Sequence, residues 1–179
     1  MINVILYAFG FLLFASLGLV VLRGAPFVPS RRRYVQEGLE ALTKNIDVKN
    51  TTFFDIGSGN GVVLEQAAEF GFKKSIGYEL NPVLVAFSKI KLKKHIKHHK
   101  IEVKTKDFLL AKLPQGIGFF YCFGHKKFIE KVAVKLQSYA NSEDRDIYFM
   151  SMAFELSAQK PINSNVLCRL YKFIPCKKH

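Results

Sequence analysis

Three acids and three glycines are the residues whose types and spacing could do chemistry in this chain. Phe53 to Val63 reads Phe-Phe-Asp-Ile-Gly-Ser-Gly-Asn-Gly-Val-Val, an apolar run interrupted by Asp55 and followed by Gly57, Gly59 and Gly61 with Ser58 between the first two. The run predicts a buried parallel strand, and the glycines predict a tight turn in which a ligand approaches the backbone more closely than a Cβ allows. Glu79 closes a second apolar run, 24 residues after Asp55, where an open α/β sheet presents a carboxylate to ribose hydroxyls. Asp107 and Phe108 follow a third run at 101–105. A carboxylate there could accept from an adenine amino group while an aromatic ring covers its face. Two cofactor classes use such a glycine loop. A dinucleotide fingerprint places its third glycine one residue later and seats a pyrophosphate on a helix N-terminus. A carboxylate two residues before the first glycine repels phosphate and attracts a cationic or hydrogen-bond-donating ligand.

The elements that must position these residues follow from periodicity and caps. A helix is expected over 62–70 with Gly71 as its C-terminal cap, and a strand over 75–79. Asn81 is a natural N-cap and Pro82 suits the first turn of the next helix. That helix runs into 89–100, which holds six lysines, three histidines and no acid. This stretch reads as a patch for anionic lipid or nucleic acid, or as a solvated helix end favoured by the macrodipole. No cysteine or carboxylate ligand set accompanies the histidines in the sequence, so no metal site is expected. Strands are expected at 101–105, 117–123 and 146–154, with a helix over 126–139 and a polar turn at 141–144. Phe123, Gly124 and His125 form the loop after the fourth strand. The last apolar run, 166–174, leaves room for a minimal closing strand before Pro175. Cys122 reads as a small packed hydrophobe, and three cysteines without a Cys-x-x-Cys pair fit a reducing compartment.

A length of 179 residues suits one domain with a core. The net charge of +13 falls wholly after residue 22, because no charged side chain precedes Arg23. Val4 to Leu22 is a continuous uncharged run of roughly 28 Å as a helix, close to the hydrocarbon thickness of a bilayer. A cleaved signal would place positive charge before the run; here Arg23 and Arg31 to Arg33 come after it. The expected organisation is a single-pass anchor at 1–23 with its N-terminus out, a proline-containing joint at 24–33, and an α/β domain at 34–179 on the cytoplasmic side. From Arg31, Val35, Leu39, Leu42 and Ile46 recur at helical spacing.

Taken together, these motifs resemble class I S-adenosylmethionine (SAM) methyltransferases. They are most similar to the small membrane-anchored protein-lysine methyltransferases that modify the mitochondrial ATP synthase c-subunit and the adenine nucleotide translocase, and to their prokaryotic relatives. The resemblance rests on Pro26-Phe27-Val28-Pro29-Ser30, Asp55 to Gly61, Gly77 to Pro82, Lys106-Asp107-Phe108 and Phe123-Gly124. It implies a Rossmann-like sheet with helices on both faces and minimal C-terminal strands. It further implies that Asp55, Gly57, Ser58, Gly59 and Gly61 hold the methionine end of SAM, with Glu79 and Asn81 at the ribose. Asp107 and Phe108 would sit at the adenine, and Pro29 and Ser30 would fold over the cofactor. Phe123, Gly124 and His125 become candidates for the acceptor loop, with the catalytic residue unassigned. The implied partner is a membrane-associated protein, in the inner mitochondrial membrane if the source is eukaryotic, with an anionic lipid surface nearby. The absence of Asn-Pro-Pro-Tyr or Asp-Pro-Pro-Tyr after the fourth strand speaks against base methylation, and no specific nucleic acid is expected. The chain departs from the family in having Ser30 for the usual Thr, Asn60 for an acid, and Phe123 to Lys126 for a loop with proline and apolar residues. Methylation of a lipid or lipophilic small molecule, and SAM binding without catalysis, are the alternative readings.

Overall fold

The computed structural model describes residues 7, 32–98 and 100–176. The apolar run Val4 to Leu22, Tyr7 apart, and the joint through Arg31 lie outside them, and with them the expected anchor and the cofactor contacts of Pro29 and Ser30. Among the described residues no helix is long and apolar enough to cross a membrane.

Seven strands form one mixed sheet: β1 (Thr52–Ile56), β2 (Lys74–Glu79), β3 (Ile101–Thr105), β4 (Ile117–Phe123), β5 (Ile147–Met152), β6 (Asn163–Ser164) and β7 (Cys168–Phe173), in the order β3-β2-β1-β4-β5-β7-β6. The first five strands are parallel, whereas β7 is antiparallel to both β5 and β6. Chain order runs outward from β1 to β3 and then returns to β4 on the other side, so a crevice opens beyond the carboxyl ends of β1 and β4. Asp55 pairs with Gly77 on one side and Tyr121 on the other, which puts the first acid at that crevice.

Alternation along each strand sorts the apolar residues into two layers. Phe53, Phe119 and Tyr121 face α1 (Arg32–Leu42), α2 (Val62–Phe70) and α3 (Pro82–Lys91), joined by Val35, Leu39, Leu64 and Val85. Phe54, Ile56, Phe120 and Cys122 face α5 (Lys126–Glu143), whose Ile129, Val132 and Leu136 are buried against them. The short α4 (Lys93–Lys97) follows α3. Phe53 stacks on Phe119 with centroids 5.6 Å apart, and Phe54 meets Tyr78 edge-on at 4.8 Å. Each such ring is completely or almost completely buried, and contributes on the order of 1.5–3 kcal/mol by area removed from water.

Four boundaries differ from the sequence expectation. Arg32 and Arg33, counted with the joint, already belong to α1, where Arg33 pairs with Glu37 one turn on. The lysine-rich helix breaks at Leu92, which is fully buried and leaves ideal helical geometry at φ −93 and ψ 13. The polar turn expected at 141–144 is instead the last turn of α5. Gln137 donates to Asn141 and the Ser142 hydroxyl to the Tyr139 carbonyl, so these polar side chains are satisfied within the helix, and Asp144 at φ 46 ends it. Finally, β5 stops at Met152, because Ala153 takes a left-handed φ of 73 and the Ser151 hydroxyl donates to the Phe154 carbonyl, turning the chain out of the sheet.

Candidate active site

The glycine loop is held by backbone bonds to the neighbouring strand. The amides of Gly57 and Ser58 both donate to the Tyr78 carbonyl, at 2.9 and 3.0 Å. This double bond draws the loop over β2, and only a glycine at position 77 leaves room for it. A Cβ on Gly77 would lie 2.6 Å from Ser58 Oγ and from Leu64 Cδ1. Gly61 serves differently. It has φ +76, which L side chains rarely adopt, and a Cβ there would come 2.5 Å from Leu92 Cδ1. Leu92 thus packs α3 and the start of α2 together directly under the loop. Gly57 also has a left-handed φ, of +77, but has nothing within 4 Å on its Cβ side. That face of the loop is open to a ligand.

Glu79 ties the loop to the next helix. One carboxylate oxygen accepts from the Gly59 amide at 2.9 Å and the other from the Asn81 amide at 2.8 Å. Asn81 in turn caps α3 by accepting from the Val83 amide at 2.9 Å, with Pro82 in the first turn as expected. Each Glu79 oxygen keeps a further lone pair, so one buried acid can hold the loop and still accept from ribose hydroxyls. Asp55 has no such compensation. It is buried, its Oδ2 has no hydrogen-bond partner among the described residues, and burial together with the charge of Glu79 raises its pKa well above the carboxylate range. Ser58 Oγ is likewise buried and unpartnered among the described residues. Orphaned acceptors beside an open glycine face fit a cationic, donor-rich ligand such as the methionine end of SAM, and they do not fit phosphate.

The third acid is placed differently from its aromatic neighbour. Asp107 accepts from the Leu109 amide at 2.8 Å, which folds the segment after β3 into a turn at the carboxyl edge. The Phe108 ring, by contrast, lies in the α5 layer at 4 % exposure, 5.9 Å from Phe54. Lys135 Nζ covers it at 5.3 Å and donates to the carbonyls of Leu109 and Ala111 at 2.9 and 2.6 Å. Burial lowers the Lys135 pKa, which the charge of Asp107 partly offsets. Lys135 therefore braces the segment that carries Asp107. Nothing in the sequence pointed to it, since a lysine on an amphipathic helix ordinarily faces solvent.

On the far side of the crevice, Phe123 ends β4 half-buried, and Gly124 leads into α5. His125 is the α5 N-cap: its Nδ1 accepts from the Phe128 amide at 3.3 Å, and its ring lies 6.3 Å from that of Phe128. Cys122 is fully buried and its thiol is pushed up by burial and by the charge of Asp55, so it holds its proton and packs. The fold also brings carboxylates to one histidine of the lysine-rich stretch, which the linear sequence had hidden. Glu65, Glu69 and His95 lie within 4.8 Å of one another, but Glu65 already answers Arg32 and Lys91.

Comparison with known proteins bears directly on this geometry. The ANTKMT methyltransferase domain matches residues 55–163. The chain is 42% identical over 64 residues to the ATP synthase c-subunit lysine N-methyltransferase of Rattus norvegicus, covering 36% of this chain and 27% of that one. It is also 42% identical over 67 residues to the enzyme of the same name from Caenorhabditis elegans, covering 36% and 35%. The matched part is thus about a third of these relatives' length at most. Among solved structures, an RNA methyltransferase from Salinibacter ruber in complex with S-adenosyl-L-homocysteine superposes with a TM-score of 0.69 over 85% of this chain and 97% of that one. At 20% identity that likeness is one of fold.

Proposed function

This chain belongs to the ANTKMT methyltransferase domain family, and we propose that it is a membrane-tethered SAM-dependent enzyme that methylates lysine side chains of a membrane-associated protein. The observation that carries the reading is the orphaned Asp55 carboxylate beside the open face of Gly57. Asp55 would meet the cationic methionine end, the two Glu79 oxygens the ribose hydroxyls, and Asp107 the adenine edge. The tether is the uncharged run Val4 to Leu22, and the domain lies on the cytoplasmic side. Arg32 supports a role for the joint in covering the cofactor. Its carbonyl accepts from Gln66 in α2 at 2.6 Å, and Ser30 stands two residues upstream, within about 7 Å of chain reach.

SAM supplies an electrophilic methyl group on a sulfonium. The protein's part is to hold it in line with the acceptor and to exclude water, and positioning of this kind supplies much of the rate gain. A lysine acceptor must arrive neutral. Deprotonation at neutral pH from an unperturbed pKa near 10.4 costs about 4 to 5 kcal/mol, and desolvation in a dry crevice reduces that cost. An apolar rim favours such dryness: Leu80, Leu110, Phe154 and Val166 all stand exposed beside the carboxyl edge. It also suits an acceptor embedded in apolar surroundings, which the names of the lysine-methylating relatives support. A lipid or lipophilic acceptor would use the same rim.

The full chain should be incubated with methyl-labelled SAM and membranes that lack the endogenous enzyme. Label is expected in a membrane protein and, after hydrolysis, in methyllysine. Label confined to solvent-extractable lipid or to RNA would overturn the reading, and SAM affinity without turnover on any fraction would favour a non-catalytic protein.

A further inference from the structure

Helix α3 carries two apolar stripes. Val85, Ser88 and, just past its end, Leu92 face inward and are buried, as a helix packed on a sheet requires. Val83, Phe87 and Ile90 lie on the opposite side within an arc of about 60° at 100° per residue, exposed at 50%, 56% and 77%. Three large apolar side chains in line are more than the scattered single residues of an ordinary surface. They continue, at the same four-then-three spacing, into Lys94 and Lys97 across the Leu92 joint, with Lys89, Lys93 and Lys100 alongside. No acid occurs between Leu80 and Lys100, and among the described residues none of these five lysines has an ion pair.

We propose that the outer face of α3 and α4 is an interfacial lipid-docking surface, in which Val83, Phe87 and Ile90 enter the acyl boundary of an anionic bilayer and the flanking lysines reach its headgroups. The pattern is that of a helix lying in the membrane plane, with long lysine side chains extending their ammonium groups upward while their stems stay apolar. Charge complementarity selects the occupant. A second copy of this chain would set lysine against lysine across an isologous contact. The uncharged run Val4 to Leu22 would cover the stripe but answer none of the lysines. A nucleic acid would answer the lysines through its phosphates, but aliphatic Val83 and Ile90 offer it no stacking face. The docking surface rests on described residues and is independent of the tether. It begins at Asn81, next to the Glu79 carboxylate, so seating it on the bilayer would bring the carboxyl edge of the sheet to the membrane surface.

The chain contains no tryptophan, so a single introduced one is an unambiguous reporter. Phe87→Trp and Ile90→Trp place it in the stripe, and Val134→Trp places it on α5 at a site 71% exposed. The full-length variants are to be reconstituted in vesicles of anionic lipid with brominated acyl chains, and separately in zwitterionic ones. Phe87→Trp and Ile90→Trp should lose most of their fluorescence in the anionic vesicles and much less in the zwitterionic ones, while Val134→Trp stays bright in both. Equal quenching at all three positions, or none in the stripe while the protein still floats with the vesicles, would overturn the docking surface and leave the tether standing. So would a blue shift of Phe87→Trp that needs added RNA, or that grows with protein rather than lipid concentration.

Discussion

The two halves of the crevice are built by different means. Around the ends of β1 and β2, function is written into the backbone: Gly57 and Gly61 at positive φ, Gly77 with no space for a Cβ, and two buried acids that meet main-chain amides or nothing at all. Around the end of β4, the loop from Phe123 to Lys126 is half-buried or exposed, Gly124 has an ordinary φ, and His125 makes a single long capping bond. A cofactor of fixed shape can demand a rigid, partly frustrated cradle. An acceptor that is itself a macromolecule brings its own structure, and the protein need only leave a suitable edge.

The largest effect should come from removing the acids. Asp55→Asn and Glu79→Ala should each weaken SAM binding at least about 100-fold by calorimetry, the scale of a buried charge-assisted hydrogen bond. Undiminished affinity in both would break the comparison at its stronger half. The two variants should then part on stability. Because the folded protein raises the Asp55 pKa, its native state holds that proton more tightly than the unfolded chain does. The resulting penalty is absent below the usual carboxylate range and grows as pH rises toward the raised value. Ligand-free Asp55→Asn should therefore melt higher than wild type at pH 8, by about 2–4 °C per kcal/mol regained, and gain little at pH 4. Glu79→Ala frees two amides and should melt lower.

A pair of glycine substitutions tests the contrast in packing. Gly61→Ala combines a left-handed φ with a 2.5 Å approach to Leu92 and should cost about 2–4 kcal/mol by denaturant unfolding. Gly124→Ala meets only Phe128 Cδ1, at 2.9 Å and without backbone strain, and that ring is half-buried, so the cost should stay under about 1.5 kcal/mol. Equal costs would mean that the acceptor side is as tightly specified as the cofactor side.

The same asymmetry governs what could be read from the sequence. Asp55, Glu79, the glycines and the Asn81-Pro82 helix start were legible because each is dictated by local backbone geometry with its own residue signature. Strands β3 and β4 were legible to the residue because alternation and β-branched or aromatic content agree there. The part played by Phe108 in the core, the Lys135 brace and the meeting of Glu65 and Glu69 with His95 depend on which helix face meets which strand, and spacing along the chain does not carry that. The α5 terminus was missed because Asn141 and Ser142 find helical partners that only the folded turn supplies. The outward stripe of α3 was hidden because apolar residues at helical spacing read as core until the opposite stripe is seen to be the buried one.

The smallest effect, and the finest test of the acceptor side, concerns His125. In this structure its imidazole is engaged as a cap for α5, a role that Asn fills at least as well. His125→Ala should lose about 0.5–1 kcal/mol of stability with turnover unchanged at saturating SAM, and His125→Asn should restore the stability. If the imidazole instead touches the incoming acceptor, His125→Asn would keep its melting temperature and lose turnover, because the cap is restored and the ring is not. Measuring kcat and Tm on both variants separates the two roles, since capping alone moves only Tm. A fall in kcat for His125→Asn would show that the β4 edge carries a dedicated acceptor contact and that the contrast between the two halves of the crevice is smaller than their packing suggests.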